Sequence, residues 1–220
     1  MNLVMKQIVK KLFPKLALHY KAYKILIKNE RSYLYLSGWM ESLRGSRPVD
    51  SKKESIPWMN FCVIQFLKQR LKNDLILFEF GSGYSTHFYA HRVKSVTSIE
   101  YDKNWFELIK QDLPKNVELI FKEKDTNGDY CHVISSFEKQ FDVVVIDGWD
   151  RANCMRQAIS KLSPKGIILL DDSSVSRHKE AVEVALEQGF LRLDFEGLKP
   201  TDNGIYRTTI FYRHKNCFGI

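Results

Sequence analysis

The hydrophobic positions change character along the chain. From about residue 75 onward, short runs of consecutive apolar residues alternate with stretches of helical spacing. Apolar runs at 75–80, 96–99, 117–121, 141–146 and 167–170 predict five strands. The run at 141–146 is almost pure Val and Ile after its first two residues, as expected of a strand covered on both faces. Between the strands the spacing predicts helices near 84–91, 103–112, 151–161 and 176–188, the last ending at Gly189. Another helix, over 58–72, has its start marked by Ser55 and Pro57. Two further strands, near 190–195 and 208–213, have no helix between them, so they form a hairpin and the final strand runs antiparallel. Upstream, residues 3–28 predict an amphipathic helix carrying Leu3, Ile8, Leu12 and Leu16, which Pro14 kinks or divides. Residues 29–57 read as a polar-aromatic connector with Tyr33, Tyr35, Trp39, Gly45 and Pro48.

Alternation of this kind specifies an α/β fold: a doubly wound, mostly parallel seven-stranded sheet with helices on both faces, an antiparallel last strand and an N-terminal helical extension. The expected division is an arm and connector over 1–57 and a ligand-binding domain over 58–220. A length of 220 residues, 44% hydrophobic and 27% charged, fits one globular unit and excludes disordered or low-complexity classes. Cys62, Cys131, Cys154 and Cys217 show no C-x-x-C pair and no metal-finger spacing, so a reducing compartment is the expectation. No apolar run nears the ~20 residues that cross a bilayer. Lysines at 6, 10, 11 and 15 interrupt any secretory core, so a cytoplasmic, membrane-peripheral location is expected.

The net charge of +8 changes the picture only once it is divided. Residues 1–28 hold seven lysines and no acidic residue, leaving 27 basic against 26 acidic residues over 29–220. A nearly neutral body argues against a nucleic-acid substrate, whose enzymes carry a basic field around the cleft. The basic arm fits either peripheral contact with an anionic membrane, or packing on the core or on a second subunit in a homo-oligomer.

In a doubly wound sheet, ligands bind beyond the carboxyl ends of the strands. Those ends read Glu79-Phe-Gly81-Ser-Gly83, then Glu100, then Asp147-Gly148, then Asp171-Asp172. Gly81 and Gly83 allow close approach of backbone to a ligand, at the start of a helix that favours a carboxylate or phosphate. Glu100, 17 residues beyond Gly83, is placed to accept both hydroxyls of a ribose. A dinucleotide fingerprint wants a third glycine where Thr86 stands, and Glu79 is out of place beside a pyrophosphate. An acidic residue there suits a cationic methionine moiety. A tight turn with no ligand is the plainer reading of the two glycines alone; the carboxylate at the next strand end weighs against it.

Glu79-x-Gly81-x-Gly83-Tyr-Ser85 with Glu100 resembles the cofactor signature of class I S-adenosylmethionine-dependent methyltransferases. Ile146-Asp147-Gly148, the Leu162-Ser-Pro-Lys-Gly166 turn and Leu170-Asp-Asp-Ser173 match that family's fourth and fifth strands, so the resemblance spans about residues 74–213. It implies that Glu79, Gly81, Ser82 and Gly83 surround the methionine portion, that Ser85 meets its carboxylate and that Thr86 is a further cofactor-binding residue. Glu100 would hold the ribose with Tyr101 a further cofactor-binding residue, the segment Asp125-Thr-Asn127 would lie near the adenine, and Asp147 would orient the cofactor. Gly83-Tyr-Ser85, Asp147 and Asp171-Asp172 are also similar to cation-dependent O-methyltransferases of the catechol and caffeoyl-coenzyme A type. That likeness implies Mg²⁺ or another divalent cation on Asp147, Asp171 and Asp172; oxygen donors suit such ions. Here an aspartate replaces that family's asparagine, and Arg151 stands where it has a lysine or a nearby polar residue; the plainer reading makes Asp172 and Ser173 caps of the following helix.

The expected function is methyl transfer to a small molecule or glycan-type acceptor at oxygen, with catalytic groups among Asp147, Arg151, Asp171, Asp172 and His178. His178 reads equally as a helix-surface residue, and His87 with His91 as a surface pair lacking a third ligand. Trp149 and Arg151 are expected at the cleft mouth, with Trp39, Trp58 and residues 197–206 as a lid. The alternative is a non-catalytic, membrane-associated binding module on the same fold, with an NAD-dependent enzyme a weaker third reading.

Overall fold

The computed structural model of the chain describes residues 11–220. Ahead of the sheet, the described residues include the helices α1 (Pro14–Leu26), α2 (Tyr33–Leu36), α3 (Trp39–Gly45) and α4 (Phe61–Arg70). Then follow β1 (Ile76–Phe80), α5 (Tyr84–Ala90), β2 (Ser95–Glu100), α6 (Lys103–Ile109), β3 (Val117–Phe121), α7 (Asp129–His132) and β4 (Phe141–Ile146). The chain closes with α8 (Arg151–Lys161), β5 (Leu162–Leu170), α9 (Lys179–Glu187), β6 (Leu191–Gly197) and β7 (Tyr206–Tyr212). The strands form one seven-stranded sheet in the order β3-β2-β1-β4-β5-β7-β6. β1 to β5 pair in parallel, and β7 runs antiparallel between β5 and β6. The expected sheet is therefore the observed one.

Alternate side chains of each strand enter different cores, as the two-residue strand period requires. Leu77, Val143, Val145, Ile167 and Leu169 pack with α4 and α5 on one face. Phe78, Phe80, Val144, Ile146, Ile168 and Leu170 pack with α8 and α9 on the other. Both sets are buried, which is why these strands lack a polar face. The register aligns the ends: Phe80 pairs with Ile99 on one side and Ile146 on the other, and Ile146 pairs with Leu170. Gly81, Glu100, Asp147 and Asp171 thus leave the sheet along one edge.

Several boundaries differ from the sequence pattern. α4 starts after Asn60, whose side chain accepts the Val63 amide at 3.0 Å, so Ser55 and Pro57 belong to the connector. The same buried Asn60 donates to Phe195 O and Thr208 Oγ1, fastening the helix start to the β6–β7 hairpin. β5 begins at Leu162 rather than 167, because Leu162 pairs with Phe141 across a register shift. Leu162 folds over Gly166, where a Cβ would stand 2.4 Å from its Cγ, so only glycine continues the strand there.

The connector joins the core through buried Val49, Ile56 and Met59. α1 buries none of its residues, and Leu16, Leu18, Tyr20, Tyr23, Ile25 and Leu26 are exposed. The exposed apolar side chains of α1 do not pack on the core; residues 1–10 of the expected helix lie outside the described residues. No described helix is long and apolar enough to cross a membrane.

Candidate active site

A cavity of about 400 Å³ opens at the carboxyl edge of β1, β2 and β4. Its floor is the turn from β1 to α5. Gly81 has φ +95, and a Cβ there would lie 2.9 Å from the Gly148 backbone, so the ends of β1 and β4 touch only because both residues are glycine. Gly83 is different. Its backbone is extended, and a Cβ there would meet nothing closer than 3.8 Å, toward Ser85 and Trp105 of the cavity wall. Neither backbone strain nor packing requires glycine at 83.

Glu79 does not line this cavity. It lies fully buried beneath the turn and accepts three hydroxyls, from Ser85 at 2.5 Å, Thr86 at 2.6 Å and Ser98 at 2.7 Å. Thr86 in turn accepts the Gly83 amide at 3.0 Å. The expected direct contacts of Glu79 and Thr86 with the cofactor are thus corrected: both shape the turn from behind it. Burial is the main force on Glu79 and pushes its pKa up to about 7, although the three hydroxyls pull the other way. Ser85 lines the cavity while its hydroxyl proton is committed to Glu79.

Glu100 closes the adjoining wall and is nearly buried. One oxygen accepts the backbone amides of Tyr101 and Asp102, both at 2.8 Å. The other accepts the Ser82 amide at 3.2 Å and the Ser82 hydroxyl at 3.0 Å. Burial raises its pKa against these donors. Trp105 donates from Nε1 to Ser82 O at 2.9 Å and meets Tyr84 edge-on at 5.8 Å, completing an aromatic wall with Tyr101. Trp58 and Pro48 reach the cavity from the connector, and Trp39 donates to Asp202 O at 2.8 Å. These contacts tie the connector to the cavity through Pro48 and Trp58 and to the 197–206 segment through Trp39, while no residue of 197–206 lines the cavity.

Asp147 lies on the β4 side of the cavity with about a quarter of its side chain exposed (24%). Arg151 donates to its carboxylate at 3.0 Å and to the carbonyls of Asp147, Gly148 and Asp171, so one guanidinium knits the ends of β4 and β5. Burial and the neighbouring Asp171 carboxylate raise the Asp147 pKa, and Arg151 opposes them. Asp171 is buried, accepting Thr208 Oγ1 and Lys199 Nζ at 2.6 Å each. Asp172, in a left-handed conformation at φ +49, turns its carboxylate to the same ammonium at 2.7 Å.

Of the five expected catalytic residues, Asp147 alone lines the cavity. His178 is buried, not on a helix surface, and both ring nitrogens are used. Nδ1 donates to Asp172 O at 3.0 Å, and Nε2 accepts from Arg177 Nε at 3.0 Å. Burial and the Arg151 charge lower its pKa, so it is a neutral tie between turn and helix rather than a base. Asp125 is likewise no cavity residue: it accepts the Tyr130 amide at 3.2 Å at the start of α7. The expected cation site does not fit either. Lys199 already bridges the Asp171 and Asp172 carboxylates, and no group of three His, Cys, Asp or Glu among the described residues is arranged to hold a metal. His87 and His91 remain a helix pair, joined by a 2.7 Å contact of His91 Nδ1 with His87 O.

Sequence reasoning missed Trp105 and Lys199. Trp105 carried a readable signal, since Asp102 caps α6 directly after Glu100 and so puts residue 105 in the first turn beside the cofactor edge. Lys199 carried none beyond membership of a segment expected on the cleft face.

Residues 78–173 match the model of a family described as a methyltransferase domain. Among solved structures the chain is similar to a methyltransferase from Pyrococcus furiosus, at 18% identity over 82% of this chain and 94% of that one, with a TM-score of 0.54. It is similar to a precorrin-6y C5,15-methyltransferase from Geobacter metallireducens GS-15, at 17% identity over 69% and 86%, with a TM-score of 0.55. A third is SMU.1697c from Streptococcus mutans, solved in complex with SAH, at 16% identity over 68% and 94%, with a TM-score of 0.51. No curated protein matches the chain. At such identities the structures show a shared fold, while the family match falls on the strands, turns and carboxylates that build the cavity. Residues 78–173 thus carry a methyltransferase domain, on a fold shared with solved methyltransferases.

Proposed function

We propose that the enzyme transfers the methyl group to an oxygen of a small-molecule or glycan-type acceptor, with Asp147 as the group that receives the hydroxyl proton. S-adenosylmethionine supplies a methyl group on a sulfonium, ready for one-step displacement. The chain's part is to hold the acceptor in line, exclude water and take a proton. Trp58, Tyr84, Tyr101 and Trp105 wall the cavity, and Asp147 is the titratable carboxylate on its β4 side. As the acceptor oxygen bonds to carbon and the carbon–sulfur bond breaks, the oxygen's proton passes to Asp147. S-adenosylhomocysteine is released.

The observation that carries this reading is the environment of Asp147: partly exposed to the cavity, its pKa raised by burial and by Asp171, and its orientation fixed by Arg151. A base raised toward neutral pH both remains partly ionised and binds a proton well. A screen of hydroxylated acceptors with methyl-labelled S-adenosylmethionine tests it. Turnover should climb with pH through the neutral range and fall by roughly 10²–10⁴-fold in Asp147→Asn. Methylation of nitrogen or carbon acceptors alone, or a fully active Asp147→Asn, overturns the assignment.

The arm supports a peripheral address. α1 leaves its apolar side chains in solvent, and residues 1–28 carry only positive charge, which fits an anionic lipid surface and an acceptor held there.

A further inference from the structure

We propose that Lys199 is a built-in cation. Its ammonium fills the point where the Asp171 and Asp172 carboxylates converge, closes that point to divalent metal and sets the position of Asp147 through Arg151. Three carboxylates, Asp147, Asp171 and Asp172, meet at the ends of β4 and β5, with Arg151 and Lys199 the cations paired to them. Lys199 contacts two at once, at 2.6 and 2.7 Å, and is only 5% exposed. Hard divalent cations hold carboxylate oxygens at about 2.0–2.6 Å, so the ammonium stands where such an ion would sit. The second oxygen of Asp171 is taken by Thr208, itself held by Asn60 at 3.1 Å, and the Asp172 backbone is turned into its left-handed conformation to present its carboxylate. The arrangement is thus built around the ammonium from four elements. Burial favours loss of the lysine's proton, but Asp171 and Asp172 outweigh it and hold the group charged.

Lys199 does not line the cavity. It is a positioning residue: it fixes the Asp171 side chain, the Asp171 carbonyl accepts from Arg151, and Arg151 grips Asp147. The inference shares the cleft with the methyltransferase reading and relies on it only for the role of Asp147. The cation measurement stands apart from it.

The test is Mn²⁺ binding followed by electron paramagnetic resonance on the full chain, for the parent, Lys199→Ala, Lys199→Gln and Lys199→Arg. The parent and Lys199→Arg should show no saturable Mn²⁺ up to about 1 mM, the weak end of protein sites for such ions. Lys199→Ala or Lys199→Gln should gain one site at least about tenfold tighter than that limit, lost again when Asp172→Asn is added. Added Mn²⁺ should raise the thermal midpoint of those variants and leave the parent's unchanged. One saturable ion in the parent, or folded Ala and Gln variants that gain none, overturns the proposal. If neither small variant folds, the parent decides: saturable Mn²⁺ overturns the built-in cation, and its absence together with a metal-blind thermal midpoint upholds it. Calorimetry of the parent with S-adenosylhomocysteine judges the methyltransferase reading separately; a parent that binds no S-adenosylhomocysteine sinks that reading and leaves the outcome of the Mn²⁺ titration standing.

Discussion

Glu100, the residue expected to hold the ribose, has a carboxylate that is already fully employed. A carboxylate offers about four acceptor sites, and the amides of Tyr101, Asp102 and Ser82 with the Ser82 hydroxyl use all four. The contacts are unequal: 2.8 Å for both on Oε1, and 3.0 and 3.2 Å for the Ser82 pair on Oε2. A ribose diol held by Glu100 would therefore enter by displacing Ser82 from Oε2. Glu100→Gln isolates that event, because the amide oxygen can keep the Tyr101 and Asp102 donors while an NH₂ replaces Oε2. Trp105 still holds Ser82 O, so the turn should persist. Losing one charge-assisted hydrogen bond costs ~1.5–3 kcal/mol, which is roughly 10- to 150-fold in Kd. Calorimetric titration with S-adenosylhomocysteine measures this, with urea unfolding as the check on folding. Ser82→Ala removes the competing hydroxyl and should leave Kd unchanged or tighten it by about threefold. A folded Glu100→Gln that binds within about twofold of the parent, or a Ser82→Ala that weakens binding equally, would show that the ribose does not use Oε2.

Glu79 should make stability fall with rising pH. Its folded pKa of about 7 lies above the ordinary 4.5, so its contribution is whole below pH 4.5 and is lost as pH rises through 7, by about 3 kcal/mol in total. Glu79→Gln, which cannot ionise, should flatten the urea-unfolding profile between pH 5 and 8 by most of that amount; parallel profiles would mean the carboxyl is not the titrating group. The two turn glycines should separate cleanly. Gly81→Ala, at φ +95 and against Gly148, should lose at least ~1–3 kcal/mol of stability, whereas Gly83→Ala should unfold like the parent and bind S-adenosylhomocysteine at least about tenfold more weakly. Equal binding by Gly83→Ala and the parent would remove the close approach inferred there. For the arm, the full chain should pellet with anionic vesicles at low salt and a chain lacking residues 1–28 should not; equal pelleting ends the lipid assignment.

The sheet was legible because its signal is local and strong. Runs such as Val143-Val-Val145-Ile146 have no polar face to place in water, and that alone demands a covered, parallel strand. The strand ends were legible for the same reason: Gly81, Glu100 and Asp147 follow directly on those runs, so finding the strands found the cleft edge. What the sequence hid was direction and partnership. Glu79 and Gly81 differ by two positions, and the strand period sends the Glu79 side chain into the core beside Ser98, while the turn puts Gly81 on the cavity floor. Alternation along β1 could have revealed this, since Leu77 and Glu79 share a face. Lys199 was hidden more deeply. Its role depends on a hairpin connection folding back 28 residues to meet Asp171, and nothing in the pattern Leu198-Lys199-Pro200 distinguishes a buried ammonium from a solvated one. The likeness to cation-dependent O-methyltransferases pointed to a cation among three carboxylates; the fold supplies a cation there from the chain itself. A surplus of acidic residues at strand ends is thus evidence for positive charge nearby, and only the tertiary connections decide whether an ion, an arginine or a lysine provides it.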